Sequence, residues 1–198
     1  MDLYASKGRI TAMLEPLVLR LAAAGVAPDA VTLAAVPVAL VAGACLLSST
    51  AVPSVLLLVP ILATLRLVLN LLDGALARRT GRTHARGEVL NELGDRACDI
   101  AFLAPIAWLP GASAHFVLVG VLGAVLASHV GVASKAAGGR RLYRGVLSKP
   151  GRMALVSIAS VAAFAYGGVA WAVFGPLLCL GVALTLLERL VIAFRELA

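Results

Sequence analysis

The chain has 198 residues, of which 61% are apolar and only 14% are charged. That leaves too little polar side chain to cover a water-soluble domain of this size, so a soluble enzyme or binding module is excluded. The net charge of +7 would suggest nucleic acid in a soluble protein, but in an apolar chain the positive-inside bias and anionic lipids account for it, and no nucleic-acid partner is expected.

In chain order, the N-terminal stretch lacks an apolar signal core and a small-residue cleavage site, so no cleavable signal is expected. Residues 7–26, KGRITAMLEPLVLRLAAAGV, mix Lys7, Arg9, Glu15 and Arg20 with Ile10, Leu14, Leu17 and Leu21. The spacing predicts an amphipathic helix on the membrane surface. Pro28-Asp29 reads as a break and N-cap. The chain divides into a juxtamembrane segment, 1–29, and a membrane domain, 30–198. Six runs of about 20 mostly apolar residues follow, at 30–49, 52–78, 87–109, 113–134, 151–168 and 170–192. The expected fold is all-α: a polytopic membrane protein with six transmembrane helices and an N-terminal amphipathic surface helix.

The loops orient these runs. The turns near 50–53, 110–114 and 167–170 contain no Lys or Arg. Arg78, Arg79, Arg82 and Arg86 fill the second-to-third connection, and Lys135, Arg140, Arg141, Arg144, Lys149 and Arg152 the fourth-to-fifth. Both termini and both basic loops are therefore expected on the cytoplasmic side of the cell (inner) membrane. Cys45, Cys98 and Cys179 form no metal or redox motif. Trp108 and Trp171 are expected as interfacial anchors. His129 is expected as a packed or hydrogen-bonded histidine.

Ionisable residues inside spans are costly and mark function by default. Here they gather in the second and third spans. At about 100° per residue, Arg66, Asn70, Asp73 and Ala77 share one helix face, and Glu88, Asn91, Glu92, Asp95 and Asp99 share one arc of the next helix. The turn near 79–86 makes the two helices antiparallel. Asp73 then lies about 9 Å and Asp95 about 12 Å from the turn, so the acidic faces meet at similar depth. Close carboxylates repel, and a hard divalent cation such as Mg²⁺ or Mn²⁺ would relieve the repulsion. The alternative is interhelical salt bridges in which Arg66 and Arg96 neutralise their neighbours. Gly74, Ala77 and Gly87 suit either close helix packing or approach of a substrate to the backbone.

These residues resemble the CDP-alcohol phosphotransferases, whose pattern is D-x2-D-G-x2-A-R-x8-G-x3-D-x3-D. The chain reads Asn70-x2-Asp73-Gly74-x2-Ala77-Arg78-x8-Gly87-x3-Asn91-x3-Asp95, with every spacing kept. VAPDAVTLAAV before and into the first span and SKPGRMAL at the start of the fifth extend the resemblance. The resemblance implies an enzyme of phospholipid biosynthesis. A CDP-activated lipid, usually CDP-diacylglycerol, would pass its phosphatidyl group to an acceptor alcohol with release of CMP. It also implies one or two Mg²⁺ or Mn²⁺ ions, a homodimer, Asp73 and Asp95 as metal ligands, and Asp95 as the candidate base. By position, Asn70, Asp73, Gly74, Ala77, Arg78 and Gly87 would hold the CDP moiety. Lys149 and Arg152 would receive an acceptor phosphate. Arg189 would do so too, or pair with Glu188.

The departures are Asn70 and Asn91, where the pattern has aspartate. An amide oxygen can ligate Mg²⁺ but brings no charge. Either a metal or the activity is lost, leaving an impaired homologue that binds CDP-lipid or regulates a partner synthase, or Glu92 and Asp99 supply the missing charge. On the second reading the metal set is Asn70, Asp73, Asn91, Glu92, Asp95 and Asp99. The acceptor is not legible. A transporter would be expected to show paired broken helices or an inverted repeat, and neither is evident.

Overall fold

The computed structural model describes residues 7–198, with side chains from residue 13 onward. Lys7, Arg9 and Ile10 of the predicted amphipathic face, and residues 1–6, lie outside the described side chains. Seven α-helices make up the described chain: α1 (Lys7–Ala23), α2 (Pro28–Ser48), α3 (Val59–Thr80), α4 (Ala85–Leu103), α5 (Ala114–Ala136), α6 (Lys149–Tyr166) and α7 (Val169–Leu197). A 3-10 stretch, Pro53–Leu58, leads into α3, and another, Ala104–Trp108, follows α4.

The expectation of six membrane-spanning helices is corrected. Among the described residues four helices are long and apolar enough to cross a membrane: α2, the continuous stretch Pro53–Thr80, α5 and α7. The other two fail for a physical reason. α4 carries Arg86, Glu88, Glu92, Asp95, Arg96 and Asp99 within 19 residues and stops at Leu103, where Pro105 opens the 3-10 stretch. α6 has 18 residues and spends its first turn on Lys149 and Arg152. The protein is thus an all-α, polytopic membrane protein with four long apolar helices. α4 and α6 are less apolar and place their charges against other helices.

The packing explains the small residues. α2 lies between α3 and α4 and presents Ala35, Ala39 and Ala42 to the core. Gly43 lets α2 approach α4 closely, since a Cβ there would stand 2.4 Å from the Ala101 carbonyl oxygen. α5 packs along α7, and α6 bridges α3 and α7. The shared core includes Phe102, Ile106, Met153, Phe174 and Leu178. Trp171 belongs to it, buried with its ring edge-on to Phe174, so it is not the interfacial anchor expected; Trp108 is exposed. His129 is likewise exposed rather than packed. α1 packs Val18, Leu14 and Leu21 against Leu72 and Leu76 of α3.

Candidate active site

The α3–α4 hairpin is fixed at its turn. α3 ends on Gly81, whose left-handed conformation (φ 66°) suits glycine, and its N–H bonds the Ala77 carbonyl. α4 starts on His84, whose Nδ1 accepts the Gly87 N–H at 2.8 Å. His84 Nε2 stands 3.6 Å from Asp29 at the start of α2. A Cβ at Gly87 would meet His84 and Asp29 at 3.0–3.1 Å, so this glycine makes room for the turn. Gly87 and Ala77 do not line the cavity described next.

A cavity of about 760 Å³ lies between α3, α4, α6 and the 137–148 loop. It has two parts. One is polar, lined by Asn70, Asp73, Gly74, Arg78, Asn91, Asp95, Arg96, Arg141, Lys149 and Arg152. The other continues between α3 and α6 past Ala63, Leu67, Leu71, Met153 and Ile158. Thr64, Ala154 and Ile158 are exposed, so the apolar part opens sideways.

The two predicted faces do meet. Asn70 Nδ2 donates to Asp95 Oδ1 at 3.3 Å. Asp73 Oδ2 accepts from Thr32 Oγ1 of α2 at 2.9 Å, a partner the motif does not contain. The Lys149 ammonium bonds Asp95 Oδ2 and lies 3.2 Å from Asn70 Oδ1. Asn91 Oδ1 is buried and, among the described residues, has no hydrogen-bond partner.

One turn deeper the chemistry changes. Asp99 is 1% exposed and accepts from Arg66 Nη2 at 2.7 Å and from Arg152 Nη2 at 2.6 Å. Arg66 also donates to the Asp95 carbonyl at 3.2 Å, and Arg152 to the Leu147 carbonyl at 3.2 Å. Glu92 is paired with both Arg96 and Arg141. Glu88 is paired with Lys135, whose hydrogen bond holds the exposed carboxyl below the ordinary glutamate range. Glu92 and Asp99 are thus each engaged by two arginines, and neither lines the cavity.

The acids therefore divide. Asp73 and Asp95 face the cavity, Asp95 paired there with Lys149, while Glu88, Glu92 and Asp99 form ion pairs and do not line it. Among the described residues no cluster of three or more His, Cys, Asp or Glu side chains could hold a metal. The donor set that fits a hard cation is smaller and mixed: the carboxylates of Asp73 and Asp95 with the amide oxygens of Asn70 and Asn91. Two observations support the fit. Asn91 Oδ1 is buried without a partner, and a cationic group, the Lys149 ammonium, already sits on Asn70 and Asp95.

Arg189 lines the cavity, but three of its donors serve backbone. Nε bonds the Arg144 carbonyl at 2.8 Å, Nη2 the Tyr143 carbonyl at 2.8 Å and Nη1 the Ala127 carbonyl at 2.6 Å. Leu147 N–H donates to Thr185 Oγ1 at 2.8 Å. α7 thereby fixes the loop that carries Arg141 and leads to Lys149. Thr32 escaped the sequence reading as a site residue, and Arg141 entered it only as part of the basic fourth-to-fifth loop. Thr32 sits within VAPDAVTLAAV, the stretch before and into the first span.

Comparison with known proteins gives the fold first. The fold is that of the Mycobacterium tuberculosis phosphatidylinositol phosphate synthase PgsA1. Its complex with manganese and citrate superposes with a TM-score of 0.73 at 22% identity, covering 90% of this chain and 88% of that one. Its form with CDP-DAG bound gives 0.68 at 22% identity, covering 94% of each chain. Its apo form gives 0.70 at 23% identity, covering 90% of this chain and 95% of that one. Among curated proteins, the chain is 33% identical over 166 residues to the inner membrane protein YnbA of Escherichia coli (strain K12), covering 84% of this chain and 82% of YnbA. The chain belongs to the family of that inner membrane protein and shares the fold of PgsA1. No family model matches it.

Proposed function

We propose that the protein transfers a phosphatidyl group from a CDP-activated lipid, of the CDP-diacylglycerol type, to an acceptor alcohol and releases CMP. The observation that carries this reading is the two-part cavity. A nucleotide diphosphate needs cations and polar groups, and acyl chains need an apolar channel open to lipid. Arg78, Arg96, Arg141, Lys149 and Arg152 line one part, and Leu67, Leu71, Met153 and Ile158 the other. The similar synthase PgsA1 has been solved with CDP-DAG bound, and separately with manganese and citrate, which favours the same donor class and a divalent cation here.

On this reading Arg78 and Gly74 flank the diphosphate. Gly74 offers little bulk there, since an added Cβ would stand 3.3 Å from Arg78 Nη1. Asp95 is the base that takes the acceptor hydroxyl proton. Asp73, held by Thr32, and Asp95, with Asn70 and Asn91, would hold Mg²⁺ or Mn²⁺. When bound, the cation would neutralise charge developing on the departing CMP phosphate. Two carboxylates balance one divalent ion, so we assign one strong cation site. Lys149 supplies charge for an acidic acceptor group, beside Arg152, whose guanidinium is held by Asp99. Arg189 positions their loop. The basic loops favour the cytoplasmic side for the polar part of the cavity and both termini.

Purified protein incubated with CDP-diacylglycerol, Mn²⁺ or Mg²⁺ and a panel of alcohols should release CMP with at least one acceptor. Absence of release with every acceptor, beside retained CDP-lipid binding, would overturn the transferase reading. It would favour a CDP-lipid-binding homologue, a second reading that the amides at Asn70 and Asn91 support.

A further inference from the structure

We infer that Lys149 is a tethered competitor for the cation site: its ammonium and a divalent ion take turns on Asp95 and Asn70. The inference rests on the proposed metal-dependent reading and adds an order of events to it.

The geometry is specific. Lys149 stands at the start of α6 and reaches across the cavity to α3 and α4. Its ammonium bonds Asp95 Oδ2 and approaches Asn70 Oδ1 at 3.2 Å. These are two of the four side chains whose oxygens fit a hard cation. An ammonium is held by oxygen at about 2.7–2.9 Å, and Mg²⁺ sits at about 2.0–2.1 Å from its ligands. Two cations sharing one carboxylate oxygen at those distances would repel strongly. An ion that takes those same oxygens therefore displaces the ammonium.

The surroundings say which part moves. Ser148 is buried, Leu147 N–H is bonded to Thr185, and Arg152 holds the Leu147 carbonyl. The backbone just before the lysine is pinned. The four-carbon stem is the flexible part. Arrival of the ion thus turns the ammonium away from Asp95 and toward the polar space shared with Arg141 and Arg152. There it can meet a phosphate oxygen. Without the ion, the lysine neutralises the site and occupies it. Cation binding then precedes productive binding of an anionic substrate, because the same event builds the metal site and releases an ammonium for the anion.

The test measures metal binding without turnover. Mn²⁺ is titrated into detergent-solubilised protein and followed by calorimetry or by the electron spin resonance of free Mn²⁺. Removing a charge-assisted hydrogen bond from a ligand should tighten Mn²⁺ binding by about tenfold or more in Lys149→Met. Lys149→Gln should shift in the same direction and serves if the first variant does not fold. Arg96→Met is the control for charge alone, because Arg96 Nη1 lies 3.9 Å from Asp95 Oδ2 without bonding it. It should shift affinity less than the Lys149 variants do, since its guanidinium is bonded to Glu92 rather than to Asp95. Equal affinity in wild type and the Lys149 variants, or an equal gain in Arg96→Met, would overturn the competition while leaving the transferase reading to the CMP-release assay. Failure of every form to bind Mn²⁺ would overturn both.

Discussion

Asp95 and Asp99 stand one helical turn apart on α4 and have opposite surroundings. Asp95 faces a cavity and bonds a lysine with a flexible stem. Asp99 is sealed between two arginines that are themselves 1–2% exposed. The first is a carboxylate whose partner can be exchanged. The second is a carboxylate whose partners are fixed. The difference shows that an acid inside a membrane helix is a candidate ligand only if its cations can leave. Arg66 and Arg152 cannot leave without each becoming a buried unpaired charge. Asp99 joins α3, α4 and α6 into one body, and Asp95 works within the space that this body encloses.

The sharpest way to break the contrast is to neutralise both acids and read two quantities. Asp95→Asn should lower CMP release by about 10²–10⁴-fold, the range for loss of a positioned base, with little change in thermal unfolding. Asp99→Ala should do the reverse in kind, costing about 3–5 kcal/mol of stability because two buried arginines lose their anion. A stable Asp99→Ala protein with weakened Mn²⁺ binding would erase the distinction and make Asp99 a ligand. The contrast can also be sharpened by replacing Arg66, Asp99 and Arg152 together with apolar residues of similar volume. Stability should then recover toward the wild-type value, as it does when a buried ion triad is exchanged whole.

A smaller effect separates Asp73 from both. Thr32→Val removes the hydroxyl that bonds Asp73 Oδ2. It should cost about 1 kcal/mol, read as a modest loss of Mn²⁺ affinity with folding retained. The smallest effect is at Glu88. Its carboxyl is held below its ordinary value by the Lys135 hydrogen bond. Its contribution to stability is therefore present above about pH 4.5 and lost as the pH falls through the folded-state value. The pair is exposed, so Glu88→Gln should change thermal stability little at pH 7, and the small difference should vanish in acid.

Much of this arrangement was legible in the sequence because helices are periodic. The phase of Asn70 and Asp73 on α3, and of Asn91 and Asp95 on α4, is enough to bring them to one seam. Periodicity cannot rank residues on the same arc. Asp95 and Asp99 are equivalent by phase; the bonds from Arg66 of α3 and from Arg152 of α6, 53 positions along the chain, distinguish them. Glu92 is drawn to Arg141 by a loop with no helical period to read. The span count failed for a related reason. A run such as 87–109 has the length to cross a membrane, but its charges are satisfied by neighbouring helices, and hydropathy does not register such pairing. Trp171 shows the same limit, since an indole near a helix end can face the core as readily as the interface.

The sideways opening between α3 and α6, past Thr64, Ala154 and Ile158, has a kinetic consequence. On the proposed function, the donor reaches the site by two-dimensional diffusion within one leaflet and its product leaves by the same door. The rate should then follow the mole fraction of donor in the bilayer or micelle rather than its bulk concentration. Added inert lipid would act as a diluent at constant total donor. Acyl-chain fluidity becomes part of the enzyme's kinetics, although the bond-making atoms lie in the polar half of the cavity.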